Sequence, residues 1–295
     1  MNSFNGKIAV VTGGGDGMGR SLAIQLAREA CHVAICDVNA ASMAQTIEQC
    51  RSEAPAGTMF ASALCDVSDE EQLETFRDVV RSEFDTDHVH LLINNAGIAG
   101  GGSMIVDERS TWERTFNVCW NGVYLGTRVF LPLLMAADES HIVNTSSING
   151  FWASLGPERP HTAYSSAKFA VKGFTEALVQ DLRLNAPHVH AHVVMPGHIG
   201  TGIAANSVTA HGIDVTEFPE ISELTAAFRN SAPTSADSAA STILDAVLDG
   251  HWRILVGEDA HVLDMLVRDN PEKAYEPSFA DGLRERGMLT GLIGE

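Results

Sequence analysis

The chain has 295 residues, 45% hydrophobic and 19% charged, so it can bury a sizeable core and is not intrinsically disordered. Its formal charge of −19 argues against nucleic acids and anionic membranes as partners, because both would repel it. The sequence has no CxxC pair, no signal-peptide core and no apolar run of membrane-spanning length, which predicts a reduced, cytoplasmic protein with five free cysteines: Cys31, Cys36, Cys50, Cys65 and Cys119.

Short β-rich runs alternate with helical patterns along the chain. The predicted strands are, in order, KIAVVT, HVAICD, MFASALCD, HVHLLINNAG, HIVNTSS, HVHAHVVMPG and WRILVG. The first helix is expected from about Gly17 to Ala30. Strands separated by helices predict an α/β fold with a Rossmann-type, doubly wound and mostly parallel sheet of about seven strands. No repeat or linker interrupts the pattern, so we expect a single domain over residues 1–267.

The first predicted strand leads into a glycine-rich loop, TGGGDGMG, that opens the first helix. Such a loop lets backbone N–H groups approach a pyrophosphate at the positive end of the helix. Any tight strand–helix turn uses glycine, but this position in the chain favours a dinucleotide site. The loop residues predicted to bind the cofactor are Gly13, Asp16, Gly17, Met18 and Gly19.

The second strand ends at Asp37, where a carboxylate can accept hydrogen bonds from the ribose hydroxyls of NAD. The same carboxylate would repel the extra phosphate of NADP, and Asp16 adds no positive charge that could hold it. An ordinary surface aspartate is the alternative, but its position favours NAD as the cofactor.

Tyr164 and Lys168 stand four residues apart in AYSSAK, so a helix would place both side chains on one face. There the ammonium can lower the pKa of a tyrosine, which ordinarily titrates near ~10. The pair Ser146–Ser147 upstream offers a hydroxyl donor. A tyrosine base, a hydroxyl and a dinucleotide loop indicate hydride transfer on an alcohol or carbonyl, although a YxxxK pair alone could be a solvated helix face.

Other side chains are weaker candidates. The alternating histidines of HVHAH have a spacing that could bind a metal, but no carboxylate or cysteine clearly completes a set, and no metal site is predicted. His161 and His198 lie nearer the expected pocket and are candidates for substrate contact. Four aromatic residues either line the pocket, which would indicate a fairly apolar substrate, or only pack: Phe151, Trp152, Phe218 and Phe228.

Two segments break the strand–helix rhythm. Residues 200–233 form an insertion in which Ile221, Leu224 and Phe228 are spaced as on an amphipathic helix, which suggests a lid over a pocket. Residues 268–295 form a polar C-terminal tail that is either an oligomer arm or partly disordered.

Together these motifs resemble the short-chain dehydrogenase/reductase family over roughly residues 5–257. The matching segments are TGGGDGMG, Asp37, CDV, NNAG, the serine, YSSAK and PGHIGT. The SxxG pattern selects Ser147 over Ser146. The resemblance implies catalysis by Ser147, Tyr164 and Lys168, with the last two also contacting the cofactor. It further implies adenine contacts from Asp66 and Val67, support of the adenosine side by Asn95, and nicotinamide contacts from Ile199 and Thr201.

The chain departs from the family pattern in two places. The stretch between Ser147 and Tyr164 is longer than usual, with GPERPH as the extra piece. Family members usually carry a proton-relay asparagine where this chain has Cys119. Asn117 and Asn121 each lie two residues away, about 200° around an ideal helix, so neither replaces it unless the helix is kinked or bulged.

The sequence therefore predicts an NAD-dependent oxidoreductase that interconverts a secondary alcohol and a ketone, with oxidation as the favoured direction. The alternative is a cofactor-binding protein with weak or no catalysis that acts as a regulator or scaffold, and the missing asparagine is its support. The resemblance also implies a homodimer or homotetramer, because the helix that carries Tyr164 typically packs in a subunit interface of the family.

Overall fold

The structure is a computed structural model that describes residues 1–156, 159–214 and 217–288. The strands are β1 (Ile8–Thr12), β2 (His32–Asp37), β3 (Phe60–Leu64), β4 (Leu91–Asn94), β5 (Ser140–Thr145), β6 (Val189–Pro196), β7 (Ile199–Gly200), β8 (Thr234–Ser235) and β9 (Arg253–Val256). The helices are α1 (Gly17–Arg28), α2 (Ala40–Glu53), α3 (Glu70–Phe84), α4 (Arg109–Phe116), α5 (Gly122–Met135), α6 (Thr162–Asn185), α7 (Ile203–Ala210), α8 (Pro219–Asn230), α9 (Ala236–Leu248), α10 (Glu258–Asp269) and α11 (Pro277–Glu285).

Seven of these strands form a parallel sheet in the order β3-β2-β1-β4-β5-β6-β9 within the described residues. β7 and β8 pair separately beside it. The central strands are buried along their whole length because helices cover both faces of the sheet, as is usual for parallel sheets. The predicted doubly wound α/β fold is confirmed. The prediction HVAICD coincides with β2, whereas HVHLLINNAG contains only the four-residue β4.

The core lies in two layers on opposite faces of the sheet. One layer joins α1 and α9 to the sheet through residues such as Leu22, Leu26 and Ile243. The other joins α3 and α5 through Phe76 and Phe130, whose rings meet edge to face at 5.8 Å. These layers fix the strands so that their carboxyl ends meet at one edge, where the loops after β1 to β6 lie close together.

The insertion at 200–233 contains α7 and α8, so the predicted helix exists as α8. Its apolar face is only partly covered. Phe228 is half-buried, but Leu224 is 69% exposed, because α8 packs on α7 and β7 and has no buried residue. The amphipathic pattern thus predicted the helix correctly, but the apolar face that it predicted is less buried than expected.

The C-terminal segment folds back onto the body of the protein. After α10 the chain forms a 3₁₀ turn (Lys273–Tyr275) and α11. The buried Trp152 indole donates a 2.7 Å hydrogen bond to the Ala274 carbonyl, and the Ala153 N–H donates to the Tyr275 hydroxyl at 3.1 Å. Residues 289–295 of the predicted tail, and residues 157–158 of the GPERPH stretch, lie outside the described residues.

The helical stretch Arg109–Met135 has the length and hydropathy of a membrane span, but 56% of its most apolar window is buried inside the protein, as in a core helix. It contains a π-helical turn at Asn117–Asn121 between α4 and α5. This turn is a bulge of the kind that could change which side chains face the cavity described next.

Candidate active site

A cavity of about 670 Å³ opens at the carboxyl edge of the sheet, between the loops that follow β1 to β6 and the helices α7 and α8. In open parallel sheets ligands bind outside the carboxyl ends of the strands. The sequence-predicted residues that line it are Gly13, Asp16, Gly17, Met18, Asp37, Asp66, Val67, Asn95, Ser147, Tyr164, Lys168, Ile199 and Thr201. Gly19 does not line the cavity and lies behind the loop.

The glycine loop is held close to its neighbours. Gly13 has φ +65°, and a Cβ there would lie 2.8 Å from the Ala96 Cα atom. A Cβ on Gly19 would collide with the Gly13 carbonyl oxygen. Because both positions exclude a side chain, the loop backbone is close-packed at the amino end of α1, which is the arrangement that cradles phosphate.

Asp37 lies at the carboxyl end of β2, on the cavity wall. Its carboxylate accepts hydrogen bonds of 3.0 Å from the backbone N–H groups of Gly15 and Asn39. These bonds fix a negative charge beside the glycine loop. Arg20 is nearby, but its guanidinium donates to the Gly15 carbonyl and to Thr46.

Asp66 and Asn95, which the resemblance assigns to the adenosine side, both line the cavity. Asp66 pairs with Arg114 at 2.6 Å and also accepts from the Ser68 hydroxyl. Burial would raise the pKa of Asp66, but the bonds from Ser68 and Arg114 outweigh it and keep the pKa below its usual value. The Asn95 side chain donates to the Thr12 carbonyl at 3.1 Å and so ties the loop after β4 to the end of β1.

Ser147, Tyr164 and Lys168 meet at the centre of the cavity. The Lys168 ammonium is buried, donates to the Thr145 carbonyl at 2.8 Å and lies 5.4 Å from the centre of the Tyr164 ring. The Ser147 hydroxyl lies close enough to the Tyr164 phenol to lower its pKa, and it accepts from the Asn149 N–H. Ser146 instead donates to the Lys168 carbonyl at 2.7 Å, so Ser147 is the serine brought to the tyrosine.

The predicted lowering of the tyrosine pKa does not arise from the protein groups alone. Burial raises the pKa of Tyr164 above its ordinary value, Cys119 adds to the rise, and the Ser147 hydrogen bond opposes it only in part. Burial likewise lowers the pKa of Lys168. Without the positive nicotinamide ring, which the expectation also includes, desolvation of the phenolate outweighs the interaction with Ser147, and Lys168 is directed at Thr145 rather than at the phenol oxygen.

Cys119 faces this site from the π-helical turn. Its buried thiol donates to the Ile98 carbonyl at 3.1 Å, which holds the loop after β4 beside Lys168. Asn117 and Asn121 bond to each other at 2.9 Å and do not line the cavity. The bulge therefore does not bring either asparagine to the position where the family usually has one.

The histidine and aromatic candidates differ in whether they line the cavity and in what they contact. His198 lines the cavity, but its Nε2 is bonded to the Phe228 carbonyl at 2.8 Å. His161 also lines the cavity and packs against the Tyr164 ring at 4.8 Å between ring centres. Of the four aromatic candidates, Phe228 lines the cavity; Phe151 and Trp152 pack against the C-terminal segment, and Phe218 is 48% exposed.

The histidines of HVHAH lie at the opposite, amino end of the sheet. His192 is buried and is bonded to His141 on β5 at 2.8 Å and to the His251 carbonyl at 2.8 Å. His188 is bonded to the Met135 carbonyl. Within the described residues these histidines form no metal-ligating group.

Sequence reasoning missed two residues of the site. Arg114 reaches Asp66 from α4, and the Asn206 side chain reaches Asp16 from α7 with a hydrogen bond of 2.9 Å. Their partners are distant in the chain, so no local pattern marks them. The cavity role of Arg114 in particular depends on how α4 packs beside the loop after β3.

Comparisons with known proteins identify the family. A sequence model of the short chain dehydrogenase family matches residues 7–212. The chain is 38% identical over 268 residues to a protein named SadH from Mycobacterium tuberculosis, covering 91% of this chain and 92% of that one. It is 30% identical over 206 residues to dehydrogenase/reductase SDR family member 11 from Bos taurus, covering 69% and 79% of the two chains.

Among solved structures, a short chain dehydrogenase/reductase from Burkholderia phymatum in complex with NAD is similar, with a TM-score of 0.81 and 29% identity, over 94% of this chain and 98% of that chain. The family match, the parallel sheet and the position of the cavity at its carboxyl edge all indicate the same family. The chain therefore belongs to the short-chain dehydrogenase/reductase family and is an oxidoreductase of that family.

Proposed function

We propose that the protein is an NAD-dependent dehydrogenase that interconverts a neutral, largely apolar secondary alcohol and its ketone. The observation that carries the proposal is the meeting of Ser147, Tyr164 and Lys168 in the same cavity as the glycine loop and Asp37. A hydroxyl donor, a phenol and an ammonium beside a dinucleotide cradle suit removal or return of an alcohol proton.

The cavity fits a nicotinamide dinucleotide. The glycine loop has no room for a Cβ at Gly13 or Gly19, and the amino end of α1 faces the cavity through Gly17 and Met18. These residues would hold the pyrophosphate, while Ile199 and Thr201 would border the nicotinamide. When bound, the nicotinamide accepts or returns the hydride, which is the chemistry that the side chains alone lack.

The charges favour NAD over NADP. The Asp37 carboxylate is fixed by two backbone N–H groups where a ribose would lie, so it can accept from the ribose hydroxyls and repels an added phosphate. Asp16 adds a second negative charge in the loop. The cation nearest this corner, Arg20, is hydrogen-bonded to the Gly15 carbonyl and does not line the cavity.

Each side chain has a distinct role in the proposed reaction. Tyr164 takes the proton of the substrate hydroxyl, and Ser147 orients the substrate oxygen toward it. Lys168 stabilises the phenolate by its charge. Because burial raises the pKa of Tyr164, the protein needs a further positive charge, such as that of the oxidised nicotinamide, to ionise the phenol at neutral pH.

The walls of the substrate end suggest an apolar substrate. Ile148, Leu155, Ile203 and Phe228 line it. The two Lys and Arg side chains of the described lining are Lys168, bonded to Thr145, and Arg114, paired with Asp66. Since neither cation is free to hold a carboxylate or phosphate on the substrate, a neutral molecule is favoured.

The protein is further proposed to be a cytoplasmic homo-oligomer. Tyr124 and Phe169, on α5 and α6, are 39% and 42% exposed and stand on the helices that would form the interface. Their exposed aromatic surface supports association through this face.

The test is a panel of secondary alcohols incubated with NAD, with NADH formation followed near ~340 nm, where reduced nicotinamide absorbs. Turnover of apolar alcohols supports the proposal. Silence across a broad panel, with NADH still bound, would favour a cofactor-binding regulator, which the thiol of Cys119 in place of the usual asparagine makes the second candidate.

A further inference from the structure

A histidine that the proposed reaction does not use lies against the tyrosine. The imidazole of His161 packs on the Tyr164 ring at 4.8 Å between centres, tilted by 32°. It is half-buried and lines the cavity. Neither of its ring nitrogens has a hydrogen-bond partner among the described residues, in contrast to His198, whose Nε2 is bonded to the lid.

The backbone around His161 is fixed. The next residue, Thr162, donates to the Gly102 carbonyl through its N–H at 2.9 Å and its hydroxyl at 3.0 Å, and it accepts from the Trp112 indole at 3.0 Å. On the other side, a Cβ on Gly102 would collide with the Pro160 carbonyl. Since α6 begins at Thr162, the imidazole is attached to an anchored helix start and not to a free loop.

The imidazole is neutral at physiological pH. Burial lowers the pKa of His161 to about 4, so one nitrogen donates a hydrogen bond and the other accepts one. Both unpartnered ring nitrogens are solvent-accessible, so a ligand in the cavity can reach them and hydrogen-bond to them in place of water. The same cavity is lined by the apolar side chains of Ile148 and Leu155, so a substrate that binds here meets the imidazole as well as apolar surface.

We infer that His161 is a specificity-determining residue that hydrogen-bonds a second oxygen of the substrate, a hydroxyl or ketone on the carbon next to the reacting carbinol or one bond beyond it. The inference rests on the proposed function, because Ser147 and Tyr164 fix the first oxygen. The ring contact between His161 and Tyr164 keeps the second oxygen near the first. The substrate class is then a neutral 1,2- or 1,3-diol, or the corresponding hydroxyketone, with an apolar remainder.

The experiment compares two alcohols that differ by one hydroxyl, styrene glycol and α-methylbenzyl alcohol, in the wild type and in His161→Phe and His161→Gln. Phenylalanine keeps a flat ring on Tyr164, and glutamine keeps a donor and an acceptor. His261→Phe, an exposed histidine on α10 that does not line the cavity, is the control. Retained NADH binding shows that each variant is folded.

In the wild type and in His261→Phe, kcat/KM is expected to favour the glycol by roughly tenfold, the ratio that one net hydrogen bond supplies. His161→Phe should bring this ratio close to one, and His161→Gln should restore part of it. An equal ratio in the wild type and in His161→Phe overturns the inference.

Equilibrium binding separates this inference from the proposed function. Phenacyl alcohol and acetophenone, the corresponding ketones, are titrated into the NADH-bound protein. Tighter binding of phenacyl alcohol that disappears in His161→Phe, without turnover of either alcohol, would contradict the proposed reaction and support the binding role. Turnover of both alcohols at equal kcat/KM, with equal affinity for the two ketones, would support the proposed reaction and contradict the role of His161.

Discussion

The side-chain amide of Asn206 donates a 2.9 Å hydrogen bond to the carboxylate of Asp16, 190 residues away in the chain. Asp16 is the N-cap of α1 in the glycine loop, and Asn206 lies on α7. The bond thus joins α7 to the glycine loop at the edge of the cavity.

Asn206→Ala is expected to raise the Kd for NADH about three- to tenfold, because it removes the hydrogen bond that holds α7 against the proposed cofactor loop. Asn230→Ala, an exposed asparagine at the end of α8, is the control. Fluorescence titration measures both affinities. Equal affinity in the two variants would show that the Asp16–Asn206 bond does not contribute to cofactor binding.

Asp37→Ser should shift cofactor preference toward NADP. The change removes the negative charge that repels the extra phosphate, so the ratio of kcat/KM for NADP to that for NAD is expected to rise roughly tenfold or more. Asp245→Ser, on exposed surface of α9, serves as control. A wild-type preference for NADP, measured in the same assay, would contradict the assignment.

Tyr164→Phe should lower kcat by about 100-fold or more while NADH still binds, because the phenol that exchanges the proton is lost. Tyr124→Phe removes a half-exposed hydroxyl outside the cavity and is the matched control. Full turnover by Tyr164→Phe would remove the tyrosine from the mechanism.

The rate of alcohol oxidation should rise with pH, since the base acts only when deprotonated and burial raises the pKa of Tyr164. Lys168→Met removes the neighbouring positive charge and should move the rising limb to still higher pH. Lys172→Met breaks only the half-buried pair with Glu176, which does not line the cavity, and should leave the profile in place. If the pH–rate profiles of the wild type, Lys168→Met and Lys172→Met coincided, the charge of Lys168 would not stabilise the phenolate.

Stability should fall as pH decreases from about 6.5 toward 4. Burial lowers the pKa values of His90 and His192 to about 4 and of His141 to about 3, so the unfolded chain binds more protons than the folded protein in this range. Each histidine would add up to about 3 kcal/mol of destabilisation. Urea unfolding across this range should show a flatter pH dependence for His90→Asn than for His190→Asn, whose histidine is exposed. If the free energy of unfolding depended on pH equally in both variants, His90 would not contribute to the loss of stability at low pH.

Trp152→Ala should lower the free energy of unfolding by about 3 to 5 kcal/mol and raise KM for the alcohol, because the buried indole joins the loop after Ser147 to the C-terminal segment. Trp252→Ala, at a 40% exposed position, should cost less than about 1 kcal/mol. Similar urea midpoints for both variants would mean that the C-terminal segment does not support the core.

The sequence by itself determined the fold and the outline of the site, because both depend on local patterns. Alternating strand and helix periodicity predicted the parallel sheet, and a parallel sheet places the ends of β1, β2 and β5 at one edge. The glycine loop, Asp37, Ser147 and the Tyr164–Lys168 pair could therefore be assigned to one cavity, although their roles stay predictions.

Only the tertiary structure decided what depends on contacts between distant segments. In the folded protein Ser146 donates to the Lys168 carbonyl, so Ser147 is the serine that lies beside Tyr164. Asn206 is hydrogen-bonded to Asp16, and the Trp152 indole is hydrogen-bonded to the Ala274 carbonyl. The tertiary structure also showed that the protein groups alone raise the pKa of Tyr164, because spacing along a helix reports proximity to a charge, whereas desolvation depends on everything packed around the phenol.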